Sequence, residues 1–275
     1  MTKPTTPIHH SPSPPLGLTE LPQKDYWSTP FAESLLSHLD LSQGLTVLDI
    51  ACGSGLPTFY LAHHVGQTGK VVGLDRSETQ LVRARTYQGA HFPWLEFRQG
   101  DIRDLPSDLG AFDRMTGNLS FMFFRPHRKE ALRQLIPFLK PGGQLVLTFP
   151  SLGTFDSLWQ RVDQEMTDRG LERERQALTT YREERPSATD AKQWLTAIGL
   201  ERVTVNEYPL EVKTDAGQAF LYHPLLRGGF LDDIYDCFTD QHLAEDFMNT
   251  IANDTQRFVP LIAQRCVMSG WRALE

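Results

Sequence analysis

Between residues 45 and 150, short apolar runs of strand character alternate with stretches of helical period, and nothing else in the 275-residue chain narrows the fold as much. "TVLDI" leads through a glycine turn into a helix over 56–65 that Gly66 stops. "KVVGLD" leads to Ser77, which stands at capping-box spacing from Gln80 ahead of Leu81, Val82 and Ala84. "WLEFRQ" ends at Gly100-Asp101 and "AFDRMTG" ends at Asn118. A helix after Pro126 carries Leu132, Leu135, Ile136 and Leu139, and Pro141-Gly142-Gly143 then turns into "QLVLTF". Apolar strands spaced by helices bury both faces of a parallel sheet.

The flanks complete the layout. Residues 1–22 hold six prolines among Ser and Thr, a composition that cannot bury a core, so they are expected to form a disordered tail. His9 and His10 lie in it. Order is expected near Tyr26-Trp27, with Pro30 opening a helix whose apolar face is Phe31, Leu35, Leu36 and Leu39. Residues 154–185 read as helical, with a stripe of Phe155, Leu158, Trp159, Val162 and Met166. Ser187 or Thr189 caps a helix ended by Gly199, and the strand "RVTVNEY" follows. An aromatic-rich, mostly helical insertion spans 213–258, and a last strand lies at about 263–271. The expectation is one α/β domain over 23–275: a Rossmann-like, seven-stranded, mostly parallel sheet with helices on both faces and a helical cap. Its core comprises 40–150 and 187–212.

Composition excludes some functions. A net charge of −7 disfavours nucleic acid as partner, since such surfaces are basic. Cys52, Cys237 and Cys266 are far apart, with no CxxC, so neither a disulfide framework nor a metal site is expected. No apolar run is long enough to span a bilayer, and the N-terminus lacks a signal-peptide layout; a cytoplasmic protein is the default expectation.

The turn in "VLDIACGSGLPTFYLA" points to a ligand. Glycine lets a ligand approach the main chain, and the following helix offers free N–H groups. A dinucleotide loop needs a third glycine, and here Thr58 stands in its place. The alternative is S-adenosylmethionine, which carries no pyrophosphate. Asp75 ends the second strand, where a carboxylate can accept from both hydroxyls of a ribose, which either ligand carries. Asp101 ends the third, at the sheet edge where open α/β folds bind ligands, and could accept from an adenine amino group.

"VLDIACGSG", "VVGLDRS", "FRQGDIRDLP", "FDRMTGNLSFMFF" and "LKPGGQLVLTF", in that order, resemble class I S-adenosylmethionine-dependent methyltransferases. The likeness is greatest to the small-molecule branch that includes ubiquinone and menaquinone biosynthesis enzymes. It is strong over about 40–150 and weak after 190. It implies that Ala51, Cys52, Gly53, Ser54 and Gly55 wrap the methionine part of the cofactor, with Asp49 orienting that loop and facing the ammonium. It implies Asp75 on the ribose, Arg76 beside the adenine, and Asp101 and Ile102 on the adenine edge. Asn118 and Leu119 would line the far side near the methyl, and Tyr26 would form an aromatic lid. Ala51 replaces the family's usual first glycine, which is tolerated if its φ stays negative.

Methyl transfer from a sulfonium is an in-line displacement that yields S-adenosylhomocysteine, and alignment in a dry site does much of the work. A general base is needed only if the acceptor must lose a proton. Acceptor contacts are expected from Trp27, Phe121, Met122, Phe123 and Tyr222, whose character favours an apolar or aromatic small molecule; the competing expectation is that most of Phe121, Phe123, Phe124 and Phe220 are core. His223 is the histidine singled out as base or orienting group. The competing readings are a cofactor-binding but silent partner subunit and a nicotinamide-dependent oxidoreductase.

Overall fold

The computed structural model describes Leu21 and residues 24–223, 226–227 and 230–275. Five strands are laid down first: β1 Thr46–Ile50, β2 Lys70–Asp75, β3 Leu95–Gln99, β4 Phe112–Gly117 and β5 Leu139–Pro150. Helices α2 Leu56–Val65, α3 Glu78–Gln88 and α4 Arg128–Leu135 fall between them, and α1 Ser28–Ser37 precedes them. The later elements are α5 Asp156–Asp168, α6 Glu172–Glu183, α7 Ala188–Ala197, β6 Leu200–Val212, α8 Gln218–Leu221, α9 Phe230–Tyr235, α10 Gln241–Asn253 and β7 Leu261–Arg272. The seven strands form one sheet in the order β3-β2-β1-β4-β5-β7-β6. Strands β1 to β5 pair in parallel, and β7 runs antiparallel to both its neighbours. The chain reverses direction across the sheet between β1 and β4, so a crevice opens above the C-terminal ends of those strands.

Period-two alternation sorts the strand residues into two cores. Leu48, Ile50, Leu74, Met115 and Leu147 pack on the face covered by α4 and α7. Val47, Val71, Val146 and Val267 pack on the opposite face with α1, α2 and α3. A third core lies within the cap, where Phe155, Trp159, Phe220, Phe247 and Phe258 are buried together. Among the described residues no helix is long and apolar enough to cross a membrane.

Several local expectations are corrected. Leu21 is fully buried in the core with α1 and α2, so the packed chain starts ahead of Tyr26 and inside the segment assigned to the tail. Helix α1 begins at Ser28, two residues before Pro30, because Asp25 Oδ1 accepts from the N–H groups of Trp27 (2.8 Å) and Ser28 (2.6 Å). Pro141-Gly142-Gly143 is a bulge inside β5, which already pairs at Leu139 with Phe112 before the register shifts. Ser187 makes a full capping box with Asp190. His9 and His10, and Gly228 and Gly229 in the insertion, lie outside the described residues.

Candidate functional site

The loop after β1 coils through three left-handed residues, Ala51 (φ 51°), Gly53 (φ 55°) and Gly55 (φ 95°). Gly55 has no alternative: a Cβ there would lie 2.7 Å from the Phe59 ring. A Cβ on Gly53 would meet nothing within 4 Å, so that glycine serves its backbone angle and leaves open space above the loop. Ala51 corrects the condition set for it. Its φ is positive, and an alanine in the left-handed region costs about 1 kcal/mol that the family's glycine would avoid.

Two carboxylates hold this loop. Asp75 accepts from Gly53 N–H through Oδ2 (2.8 Å) and from Ser77 N–H through Oδ1 (2.8 Å). Ser77 is also the N-cap of α3, its Oγ accepting from Gln80 N–H. Asp49 shares a strand face with Val47, the face that α2 covers, and is fully buried there. Thr58 Oγ1 donates to its Oδ2 (2.6 Å) and Thr116 Oγ1 to its Oδ1 (2.8 Å). Burial pushes its carboxyl up to about 7, against the two hydroxyl bonds and with a smaller push from Asp75. The position of the missing third glycine is thus a threonine that supports Asp49 from beneath the loop.

A cleft of about 420 Å³ opens beside this loop, lined among others by Asp75, Arg76, Asp101, Ile102, Asn118 and Leu119. A smaller cavity of about 210 Å³ continues along Cys52, Ser54 and Pro57 to Asp25 and Ser28, sharing Ala51, Gly53 and Asn118 with the cleft. Asp101 is clamped by Arg103, with 2.9 Å from Nε to Oδ1 and 2.5 Å from Nη2 to Oδ2, and this pairing pulls its carboxyl down to about 2. Asn118 joins the cleft to α1: its Nδ2 donates to Ser28 O (3.0 Å), and its Oδ1 accepts from Thr148 Oγ1 (2.8 Å). The same Thr148 oxygen accepts from Leu119 N–H (3.0 Å), which fixes the left-handed turn at Leu119 (φ 55°). Cys52 is buried beneath the loop, where burial raises its thiol well above the ordinary range, so it is packing and not a nucleophile.

The residues expected to touch an acceptor divide. Met122 and Phe123 are exposed and line the cleft. Phe121 is fully buried against Phe124, Phe149 and Trp194, so it supports the cleft from below instead of facing it. Trp27 is half-buried and bridges α1 to the cap, with ring centroids 4.8 Å from Phe31 and 6.0 Å from Phe230. The Tyr26 hydroxyl lies 3.1 Å from His223 Nε2, so the expected lid and the singled-out histidine meet across 197 residues. Tyr222 is 72% exposed and lines a cavity of about 850 Å³. That cavity lies within the cap and shares no lining residue with the cleft; the cleft, at the strand ends, is the better candidate site. Asp25, Gln80 and Arg103 also line these cavities and were not expected at the site; Gln80 carried a signal only as the capping partner of Ser77, and Asp25 one as an N-cap type residue three before Ser28.

Residues 47–143 match the family described as methyltransferase domain. The demethylmenaquinone methyltransferase of Lactococcus lactis is 37% identical over 126 residues, 45% of this chain and 48% of that protein. The chloroplastic 2-phytyl-1,4-beta-naphthoquinone methyltransferase of Arabidopsis thaliana is 37% identical over 126 residues, 42% of this chain and 48% of that protein. The chain spans about half the length of the curated relatives it matches. A solved structure of a putative methyltransferase from Bacillus halodurans shares the fold, with a TM-score of 0.57 at 20% identity over 88% of this chain and 98% of that one. The chain resembles class I methyltransferases, and its sequence likeness to them is concentrated in the sheet and loops that build the cleft.

Proposed function

We propose that this chain binds S-adenosylmethionine in the cleft and methylates a small, largely apolar or aromatic molecule. The observation that carries this reading is the meeting of the glycine loop, Asp75 and Asp101 in one cleft at the sheet's switch point. The residues fit the group. The open side of Gly53 admits a ligand against the main chain, and Asp75 stands at the ribose position. Thr58 is buried under the loop, which speaks against the three-glycine cradle of a dinucleotide. When bound, the cofactor supplies a sulfonium methyl that an acceptor nucleophile displaces in line.

The chain's own residues would do the rest. Asp75 would hold the ribose, Arg76 and Asp101 would flank the adenine, and Ser54 and Asn118 would border the methionine end. Met122 and Phe123 would exclude water on the acceptor side. Relatives named for demethylmenaquinone and for a phytylnaphthoquinone support an acceptor of apolar character. The test is calorimetry of the full chain against S-adenosylmethionine, S-adenosylhomocysteine and the nicotinamide dinucleotides. The first two are expected to bind and the last not; NAD binding with no S-adenosylhomocysteine signal overturns the reading.

His223 would act on the acceptor's proton, steadied by the Tyr26 hydroxyl at 3.1 Å. As a general base it would give His223→Gln a loss of ~10²-fold in kcat and a flattened pH–rate profile. A loss of a few fold with the profile kept would assign it an orienting role. An unchanged rate would make the pair a structural contact between the segment ahead of α1 and the cap.

A further inference from the structure

Beside the cofactor cleft lies a further cavity of about 270 Å³. The two meet at Met122 and Phe123, which line both. Its apolar walls include Phe149, Pro150, Pro186 and Phe230. Into it also reach three arginines from three different parts of the chain: Arg125 from the loop before α4, Arg128 from the first turn of α4, and Arg185 from beyond α6. Among the described residues Asp233 is the one carboxylate in the lining.

Three cations lining one cavity, next to an apolar wall, are costly unless each is paired. Structural pairing accounts for part of it. Arg125 Nη1 lies 3.1 Å from Glu184, and Arg185 Nη2 lies 3.3 Å from Asp233. Arg185 is also stacked between Trp159 and Phe230, at 4.6 and 4.8 Å from the ring centroids. Arg128 lies in the field of Glu184 and Asp190 but makes no direct ion pair among the described residues. Its Nε is buried with no hydrogen-bond partner among the described residues, and its guanidinium sits 5.9 Å from the Phe121 ring. Burial lowers both Arg128 and Arg185 to about 10, so each stays charged at neutral pH while missing water. A planar guanidinium with an unused buried N–H group is a receptor for an oxyanion.

We propose that the acceptor carries an oxyanion, a carboxylate or a phosphate, and that this arginine-lined cavity anchors it while its apolar part reaches past Met122 and Phe123 toward the cofactor. The inference rests on the methyl-transfer reading for its purpose, but the cavity's preference for anions is measurable without it. It also refines the acceptor class: the walls suit an apolar or aromatic body, and the arginines require an acidic head.

The test is calorimetric titration of the full chain with benzoate, phenyl phosphate and the neutral isostere benzamide, with and without saturating S-adenosylhomocysteine. At least one oxyanion is expected to bind ten-fold or more tightly than benzamide, and comparison of the two identifies carboxylate or phosphate. Arg128→Gln is expected to remove that preference and leave S-adenosylhomocysteine affinity unchanged, which also reports its fold. If that variant does not fold, Arg125→Gln, nearer the solvent, is read by the same criterion. Equal binding of benzamide, no detectable binding of either oxyanion, or an undiminished preference in the folded variant overturns the proposal. Loss of S-adenosylhomocysteine binding by the wild-type chain would instead overturn the cofactor reading, whatever the oxyanions do.

Discussion

Asp75→Ala is expected to raise the dissociation constant for S-adenosylhomocysteine about a thousand-fold in a protein that still folds. An ionised carboxylate offers about four lone-pair sites, and the loop's N–H groups at Gly53 and Ser77 occupy one on each oxygen. Each oxygen keeps a further site for a ribose hydroxyl. Two charge-assisted bonds at ~1.5–3 kcal/mol each amount to about 4 kcal/mol. The substitution also frees Gly53, whose left-handed turn the carboxylate pins. Asp75→Asn should recover only part, because its amide would set a donor against one of the two N–H groups. The residue ends β2 and is partly exposed, so the sheet does not depend on it. Calorimetry beside a thermal melt decides the matter. A dissociation constant near the wild-type value in the folded variant would take Asp75 out of the binding site.

How much of this was legible beforehand depended on range. The strands from "TVLDI" to "QLVLTF" could be read because each carries its own apolar run, and the first four run into a glycine turn, Ser77, Asp101 and Asn118. The cleft residues followed from strand ends, since topology brings such ends to one edge. What escaped depends on pairing or on facing. The bulge at Pro141-Gly142-Gly143 looks like a turn until β4 is set beside it. Phe121 and Phe123 are two residues apart in one run, and only the short 3-10 turn over Phe121–Phe124 buries the first and exposes the second. The sign of φ at Ala51 is set by the bond from Cys52 N–H to Leu74 O and by the coil around it, not by the residue type. The three arginines carry no local signal, because their cavity exists only where α4, the end of α6 and α9 converge.

Asp49→Asn is expected to separate stability from cofactor binding. The carboxyl is fully buried under α2, and burial raises it from 3.8 to about 7. Because the folded value lies above the unfolded one, the folded chain holds the extra proton between them. Asp49 therefore contributes stability that is fully present below the unfolded value and is lost as pH rises through about 7, a swing of about 4 kcal/mol. Asparagine stays neutral throughout and keeps an acceptor for one threonine hydroxyl, while the other can turn to accept. Its urea midpoint should match the wild type only below about pH 4, exceed it by a margin that grows from there to about pH 7, and keep that margin above, with the same dependence on denaturant. Binding should respond in the opposite sense. A ligand with an ammonium group near the loop favours the ionised carboxylate, so wild-type affinity for S-adenosylhomocysteine should climb as pH rises through 7, with proton release on binding. In Asp49→Asn that climb should vanish and affinity above pH 8 should fall. Parallel stability curves for the two proteins between pH 5 and 9 would show that Asp49 does not titrate there and that its role is confined to the two threonine bonds. Where the curves diverge, the strand that carries the loop gives up stability at neutral pH to keep a charge beneath it, which explains why a carboxylate and its two threonine donors stand in a core face whose other neighbours, Val47, Val71 and Val146, are apolar.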